Sequence, residues 1–371
     1  MKAFIIFAIV ALIIGGALFG FAVFQNGGFD FQPAVTRTEV IDEDFEKILA
    51  DLDEADTKIL PATDGKCTLI IKEKEKYPHT VSVADSTLRI THSEKKWYDQ
   101  ISIFSPSPEI TLYLPKTEYT ALNVELNTGD ITVDSAFVFL DIDIEADTGD
   151  ISLYASAKNA CTLETDTGDI TVKDITAASF SAERSTGNLS IDGLTVGGSA
   201  AFEGTTGRTD LQNIAVGGGM TITTDTGNVT ATMLKAESLS INGDTSKITV
   251  TNAQITSAVD VETDTGDVTL AQVTAASLSA KISTGDTLLT DCILKESIRI
   301  NSTTGDVTFG SSDAPSITVF TDTGRVSGSL LTGKMFNASS DTGKITVPED
   351  SAEGGRCDIT TDTGNINITI K

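Results

Sequence analysis

The chain has 371 residues, a net charge of −27 and a pI near 4.2. Charge of that sign and size argues against nucleic acid and anionic lipid surfaces as partners. Aromatic residues make up only 6%, with Trp97 the sole tryptophan, which suits a narrow core of β-branched and small aliphatic side chains.

Residues Ala3 to Phe24 carry no charge and follow Lys2. The run is long enough to span a bilayer as a helix and long for the apolar region of a signal peptide. Gly20-Phe21-Ala22 is a poor small-x-small cleavage site, so residues 1–24 read as an uncleaved transmembrane anchor, with a cleavable signal as the alternative. Lys2 on one side and Asp42, Glu43 and Asp44 on the other place the N-terminus in the cytoplasm and the C-terminal domain outside the cell, in a single-pass protein of the cell membrane. Residues 25–37, with Gly27-Gly28 and Pro33, read as a linker.

Residues 38–120 hold strand-like runs at Thr57 to Leu60, Thr68 to Ile71, Val81 to Val83, Leu88 to Ile90 and Ile110 to Leu114, with Ala84-Asp85-Ser86 as a turn. A short helix within Asp42 to Asp56 competes with a strand at Leu49 to Leu52. This region is expected to form the irregular first coils and the N-terminal cap that a solenoid needs at its open end; a separate ligand-binding domain is the alternative.

From Thr128 onward one phrase, Thr-Gly-Asp-Ile-Thr-Val or a close variant, returns every 19–21 residues in thirteen copies. Its glycines are Gly129, Gly149, Gly168, Gly187, Gly207, Gly227, Gly266, Gly285, Gly305, Gly324, Gly343 and Gly364, and Ser246 holds the place in the remaining copy. A fixed period near 20 marks a solenoid. Two and four residues after the glycine lie pairs such as Ile151/Leu153 and Ile170/Val172; seven and five before it lie pairs such as Ile142/Ile144 and Val259/Val261. This period-2 alternation predicts two short strands per coil with one buried face, joined by a turn at Thr-Gly that needs the backbone freedom of glycine. The copy with Ser246 must accept strain or turn differently. The fold predicted for residues 121–371 is all-β, a solenoid akin to a single-stranded β-helix of about thirteen coils, roughly 60 Å long at a strand spacing of ~4.8 Å.

Cys161 and Cys357 fall seven residues before their glycines, and Cys292 falls seven after Gly285. These are positions held by aliphatics elsewhere, so buried free thiols are expected there and at Cys67. Cys161 and Cys357 are ten coils apart, too far for a disulfide.

The entry phrase Phe45-Glu46-Lys47-Ile48-Leu49-Ala50-Asp51-Leu52, the triplet Leu88-Arg89-Ile90, the run Ile110 to Pro115 and the repeated Asp-Thr-Gly-Asp-Ile-Thr-Val together resemble a bacterial family of unknown function labelled "putative adhesin". Its members are common in Gram-positive bacteria, and some accompany cell-envelope stress operons, as Lia-type proteins do. The resemblance covers about residues 38–371 and implies a right-handed β-solenoid with no catalytic residues to carry over.

Several chemistries compete with turn structure as readings of the repeat. Asp-Thr-Gly is the aspartic-protease signature, but that enzyme needs two such loops facing each other, and stacked identical turns point the same way. Aspartates form two columns, one including Asp147, Asp166 and Asp264 two residues before the glycine, the other including Asp150, Asp169 and Asp267 one after it. Calcium bridging of these carboxylates competes with Asp and Asn capping local backbone N–H groups; no other cofactor is indicated. A threonine ladder within the turn is favoured over ice binding. His79 and His92, the two histidines, precede the repeats and read as exposed. The expected role is non-enzymatic: a membrane-anchored, adhesin-like or envelope-stress-associated surface protein whose partner is a cell-wall component or a membrane protein. The alternative is a polysaccharide-acting parallel β-helix enzyme.

Overall fold

The computed structural model describes residues 34–93 and 107–371, and every regular element within them is a strand. The predicted membrane anchor over residues 1–24 lies outside the described residues. Among those described, no helix is long and apolar enough to cross a membrane.

The chain is an all-β solenoid of about twelve turns. Successive coils pair in parallel and in register, so that Ile151 stands beside Ile170 and Ile170 beside Leu189. The Gly168 coil shows how one repeat is built. Cys161, Leu163 and Thr165 point inward before the turn, and Ile170 and Val172 after it. The chain then bends again at Asp174, whose φ is +52°, before Ile175 and Ala177 point inward. Pairing with the next coil skips Asp174 but resumes at once, with Ile175 beside Leu194 and Ala177 beside Val196. The coils from Gly168 to Gly305 thus have three extended segments. The stretch Ile175 to Ala177 is a third ladder beyond the two strands per coil that the period-2 pattern predicts. The corner recurs with left-handed backbone at Gly193, Asn213, Met233, Asn252, Gln272, Asp291 and Ser311. Gly, Asn and Asp suit that conformation; Met233 and Gln272 are held in it by the coils on either side.

The turn glycine is required twice over. At Gly266 φ is +141°, a region costly for any side chain. An added Cβ would also lie 2.1 Å from the carbonyl oxygen of Ser246 in the preceding coil. Ser246 itself turns without positive φ. Its side chain fits because Gly243 faces it; a Cβ there would sit 2.7 Å from the Ser246 Cβ.

At the N-terminal end the stacking departs from chain order. The strands β1 (Val35–Ile41), β2 (Lys47–Glu54), β3 (Asp56–Pro61), β4 (Cys67–Glu73), β5 (Thr80–Ala84), β6 (Thr87–Thr91) and β7 (Glu109–Leu114) form the cap. β2 and β3 make a coil that lies between β6 and β7 on one side and the first phrase-bearing coil on the other. β5 covers β6, β4 covers β7 and β1 extends β4, all antiparallel. Residues Lys47 to Glu54 are strand, so the helix considered within Asp42 to Asp56 does not form: Ile48, Ala50 and Leu52 alternate inward, and the coil beside them supplies a ladder. Asp85 and Ser86 both take positive φ in the β5–β6 turn, as a two-residue hairpin prefers.

The C-terminal end is reordered in the same way. The Gly364 coil (Arg356–Thr363 and Ile366–Ile370) sits between the Gly324 coil (Ser316–Thr323 and Val326–Leu330) and the Gly343 coil (Met335–Ser340 and Ile345–Thr346). The core is one continuous column of aliphatic side chains, with a stacked aromatic run Phe45–Tyr119–Phe139 at centroid distances of 5.7 and 5.9 Å near the cap. All four cysteines are buried free thiols.

Candidate interaction surface

The residue after each glycine builds a ladder along the turn edge. The Asp150 N–H donates to Asp130 Oδ1 at 2.9 Å, Asp169 N–H to Asp150 Oδ1 at 2.8 Å, and Asn188 N–H to Asp169 Oδ1 at 2.7 Å. Further along, the Asp286 N–H donates to Asp267 Oδ1 at 3.1 Å and Asp306 N–H to Asp286 Oδ1 at 2.8 Å. These carboxylates cap the backbone of the next coil rather than of their own turn. Asn188 and Asn228 serve equally well, because the position asks only for a short side chain with an acceptor oxygen. Of the column two residues before the glycine, Asp166 accepts from Ser185 Oγ at 3.3 Å and Asp264 from Ser283 Oγ at 3.2 Å, while Asp147 lies exposed on the same edge. Asp147, Asp150, Asp166, Asp169, Asp264 and Asp267 are therefore spread along one rod edge. Among the described residues no three His, Cys, Asp or Glu side chains gather closely enough to hold a metal ion.

Where threonine stands three residues before the glycine it points inward, and at Thr165, Thr263, Thr321 and Thr361, though not at Thr224, it binds across coils. Thr165 Oγ1 donates to the Gly149 carbonyl at 3.2 Å, Thr263 to Ser246 O at 3.3 Å and Thr361 to Gly324 O at 3.1 Å. These inner threonines are buried, whereas the threonine directly before the glycine, such as Thr148 or Thr167, is exposed.

The flat face before the turn carries a column absent from the sequence reading. Glu125, Glu145, Glu164, Glu183 and Glu203 stand in register on five successive coils, with Asp51 beside Glu125. Partial burial, then the charges of Glu183, Glu145, Asp166 and Asp143, raise the Glu164 carboxyl above the usual range. The signal was legible as glutamate four residues before five consecutive glycines.

Buried charge marks three further places. Arg184 occupies the inward threonine position; its Nε donates to Gly187 O at 2.9 Å, Nη1 to Glu203 O at 3.2 Å and Nη2 to Thr209 Oγ1 at 2.6 Å. Burial pulls its pKa down to about 10, against the opposing pull of Asp169. In the cap His79 is buried, contrary to the expected exposure. Glu73, itself buried, accepts from the His79 backbone N–H at 2.8 Å, meets its Nδ1 at 2.5 Å, and accepts from Arg37 Nε at 2.9 Å. The apolar cap closes over this cluster because the glutamate is fully partnered. His92 is half-buried against Asp51. The third place, Lys334 with Asp313, lies at the C-terminal end.

Fold and surface together define a parallel β-solenoid rod that displays repeated polar columns on its sides. The chain belongs to the Toastrack DUF4097 family, which matches residues 45–220 and again 206–369. No curated protein matches it. Among solved structures it is similar to a "putative adhesin" from Bacteroides fragilis, at 16% identity over 91% of this chain and 100% of that one, with a TM-score of 0.22. A "putative adhesin" from Parabacteroides distasonis shares 12% identity over 80% of this chain and 98% of that one, TM-score 0.29. A "putative lipid binding protein" from the same species shares 15% over 92% and 98%, TM-score 0.23. At such TM-scores the likeness identifies no ligand.

Proposed function

We propose that this chain is a membrane-anchored extracellular rod that acts by binding, as an adhesin-like or envelope-stress-associated surface protein, and not by catalysis. The observation that supports it most is the repetition of the same exposed polar positions, in register, along the sides of the rod. The glutamate column and the capped aspartate edge offer many equivalent contacts. An enzyme concentrates distinct groups at one place, whereas a repetitive flank suits many weak contacts that add through effective concentration. The partner is a cell-wall component or a membrane protein, and anchoring is by residues 3–24.

The test is co-sedimentation of purified residues 35–371 with isolated cell-wall sacculi, with calcium and with chelator. Saturable binding supports the wall as partner. Binding lost in chelator assigns Asp147, Asp150, Asp166, Asp169, Asp264 and Asp267 to calcium; binding kept in chelator leaves them as backbone caps. Release of the full-length protein from membranes by carbonate would overturn the anchor.

A further inference from the structure

The last two coils are stacked out of chain order. The Gly343 coil carries the full phrase Asp341-Thr342-Gly343-Lys344-Ile345-Thr346-Val347, and it precedes the Gly364 coil in the chain. Stacked in chain order it would lie directly on the Gly324 coil, leaving the Gly364 coil outermost. In the structure the Gly364 coil is inside instead. Cys357 stands between Ile317 and Phe336, Ile359 between Val319 and Ala338, and Ile366 between Val326 and Ile345.

Burial explains the choice. Cys357, Ile359, Ile366 and Ile368 are the more apolar set and are all buried. The outer coil gives up less by facing solvent: Phe336 and Ala338 are half-buried, while Met335 and Ile345 are 49% and 40% exposed. The outer coil is also lightly held. After its turn only Ile345 and Thr346 pair with the coil beneath.

One buried charge pins this order. Lys334, on the crossing from the Gly324 coil to the outer coil, is 1% exposed. Its Nζ donates to Ala314 O at 2.8 Å, to Thr332 Oγ1 at 2.9 Å and to Gly354 O, and it pairs with the Asp313 carboxylate. Asp313 also accepts from Thr332 Oγ1 at 2.7 Å and from the Ala314 N–H at 2.8 Å. The ammonium thus ties the crossing segment to the strand entry before it, at Asp313 and Ala314, and to the returning segment after it, at Gly354. The strap is fastened further where Ser351 N–H donates to Lys334 O and Phe336 N–H to Asp350 Oδ1, both at 2.9 Å.

We propose that residues 331–347 form a strap that closes over the terminal coil after the rest of the rod has formed, with the Lys334–Asp313 pair as its catch. The strap opens as a unit of its own, freeing the terminal coil while the other coils stay stacked, and so sets which coil is the exposed end of the rod. Solenoids open locally because each coil contacts only its neighbours. Removing one partner of a buried ion pair strands the other charge, so either half of the catch is enough to loosen the strap.

The thiols report this opening. In the full-length protein, alkylation of each cysteine by iodoacetamide is followed by peptide mass mapping, in the wild type and in the Lys334→Met and Asp313→Asn variants. Cys357 lies in the slot, whereas Cys161 and Cys292 lie in the body of the rod. The expected result is that Cys357 reacts about tenfold faster or more in both variants, with Cys161 and Cys292 unchanged. Unchanged protection of Cys357 in both variants would overturn the catch. Equal acceleration of all three thiols would overturn the strap as an independent unit.

Discussion

Gly204 stands beside Arg184 on the next coil, and a Cβ added to it would lie 2.6 Å from the Arg184 Cζ. One coil places a guanidinium where others have threonine; its neighbour gives up its side chain to make room. Gly243 and Ser246 make a similar exchange within a single turn, two coils further on, where a Cβ on Gly243 would sit 2.7 Å from the Ser246 Cβ. Departures from the repeat thus come in matched pairs, whether across neighbouring coils or within one turn, because the inward side chains share one close-packed space.

Gly204→Ala is therefore expected to lower stability by about 1–3 kcal/mol, since the methyl group must displace a buried, triply bonded guanidinium. In an Arg184→Thr background the same change is expected to cost little. Chemical denaturation of both single variants and the double variant measures the coupling. Additive losses would show that the two residues do not share the space.

Gly266→Val is expected to cost ~3 kcal/mol or more, combining a positive φ with contact against the Ser246 carbonyl. An unchanged melting temperature would remove this account of the turn.

The aspartate edge makes a milder prediction. Asp169→Ala removes the acceptor for the Asn188 N–H, but the site is exposed and water can replace it, so a loss of about 0.5–1 kcal/mol is expected. Asp169→Asn keeps the acceptor and is expected to be near neutral. A larger loss in the Asn variant, appearing only with calcium present, would favour metal binding.

The raised Glu164 carboxyl gives a pH dependence of definite sign. Its folded form holds a proton more tightly than its unfolded form, so ionisation costs stability as pH rises through the window from the unfolded to the folded pKa. Glu164→Gln is expected to raise stability at neutral pH by a few tenths of a kcal/mol, because the group is mostly exposed. The gain should disappear below the ordinary carboxylate range. A gain of equal size at both extremes would show that charge is not its source.

Much of this was legible because the repeat aligns itself. The inward positions, the turn glycine and the buried cysteines follow from period and phase alone. The third ladder was missed because its corner carries Asp174, Met233 or Gln272 with no fixed residue, although Gly193, Asn213, Asn252 and Asp291 at the same offset were a signal for left-handed backbone. The order of coils at the two ends was not legible. The Gly343 and Gly364 coils carry equivalent phrases, and only their unequal burial and the distant pairing of Lys334 with Asp313 decide which lies inside. His79 misled because its burial depends partly on a distant strand: Glu73 is six residues away, but Arg37, which binds both Glu73 and the His79 carbonyl, comes from β1.

Binding spread along the rod can be separated from binding at one place by removing coils. The decisive measurement is sacculus co-sedimentation of residues 35–371 and of single-coil deletions, such as residues 208–227, which should fold as rods shorter by about 5 Å. A distributed surface predicts that each deletion weakens binding modestly, whichever coil is removed. Abolition of binding by one particular deletion, with the others harmless, would contradict it and point to a single localised site.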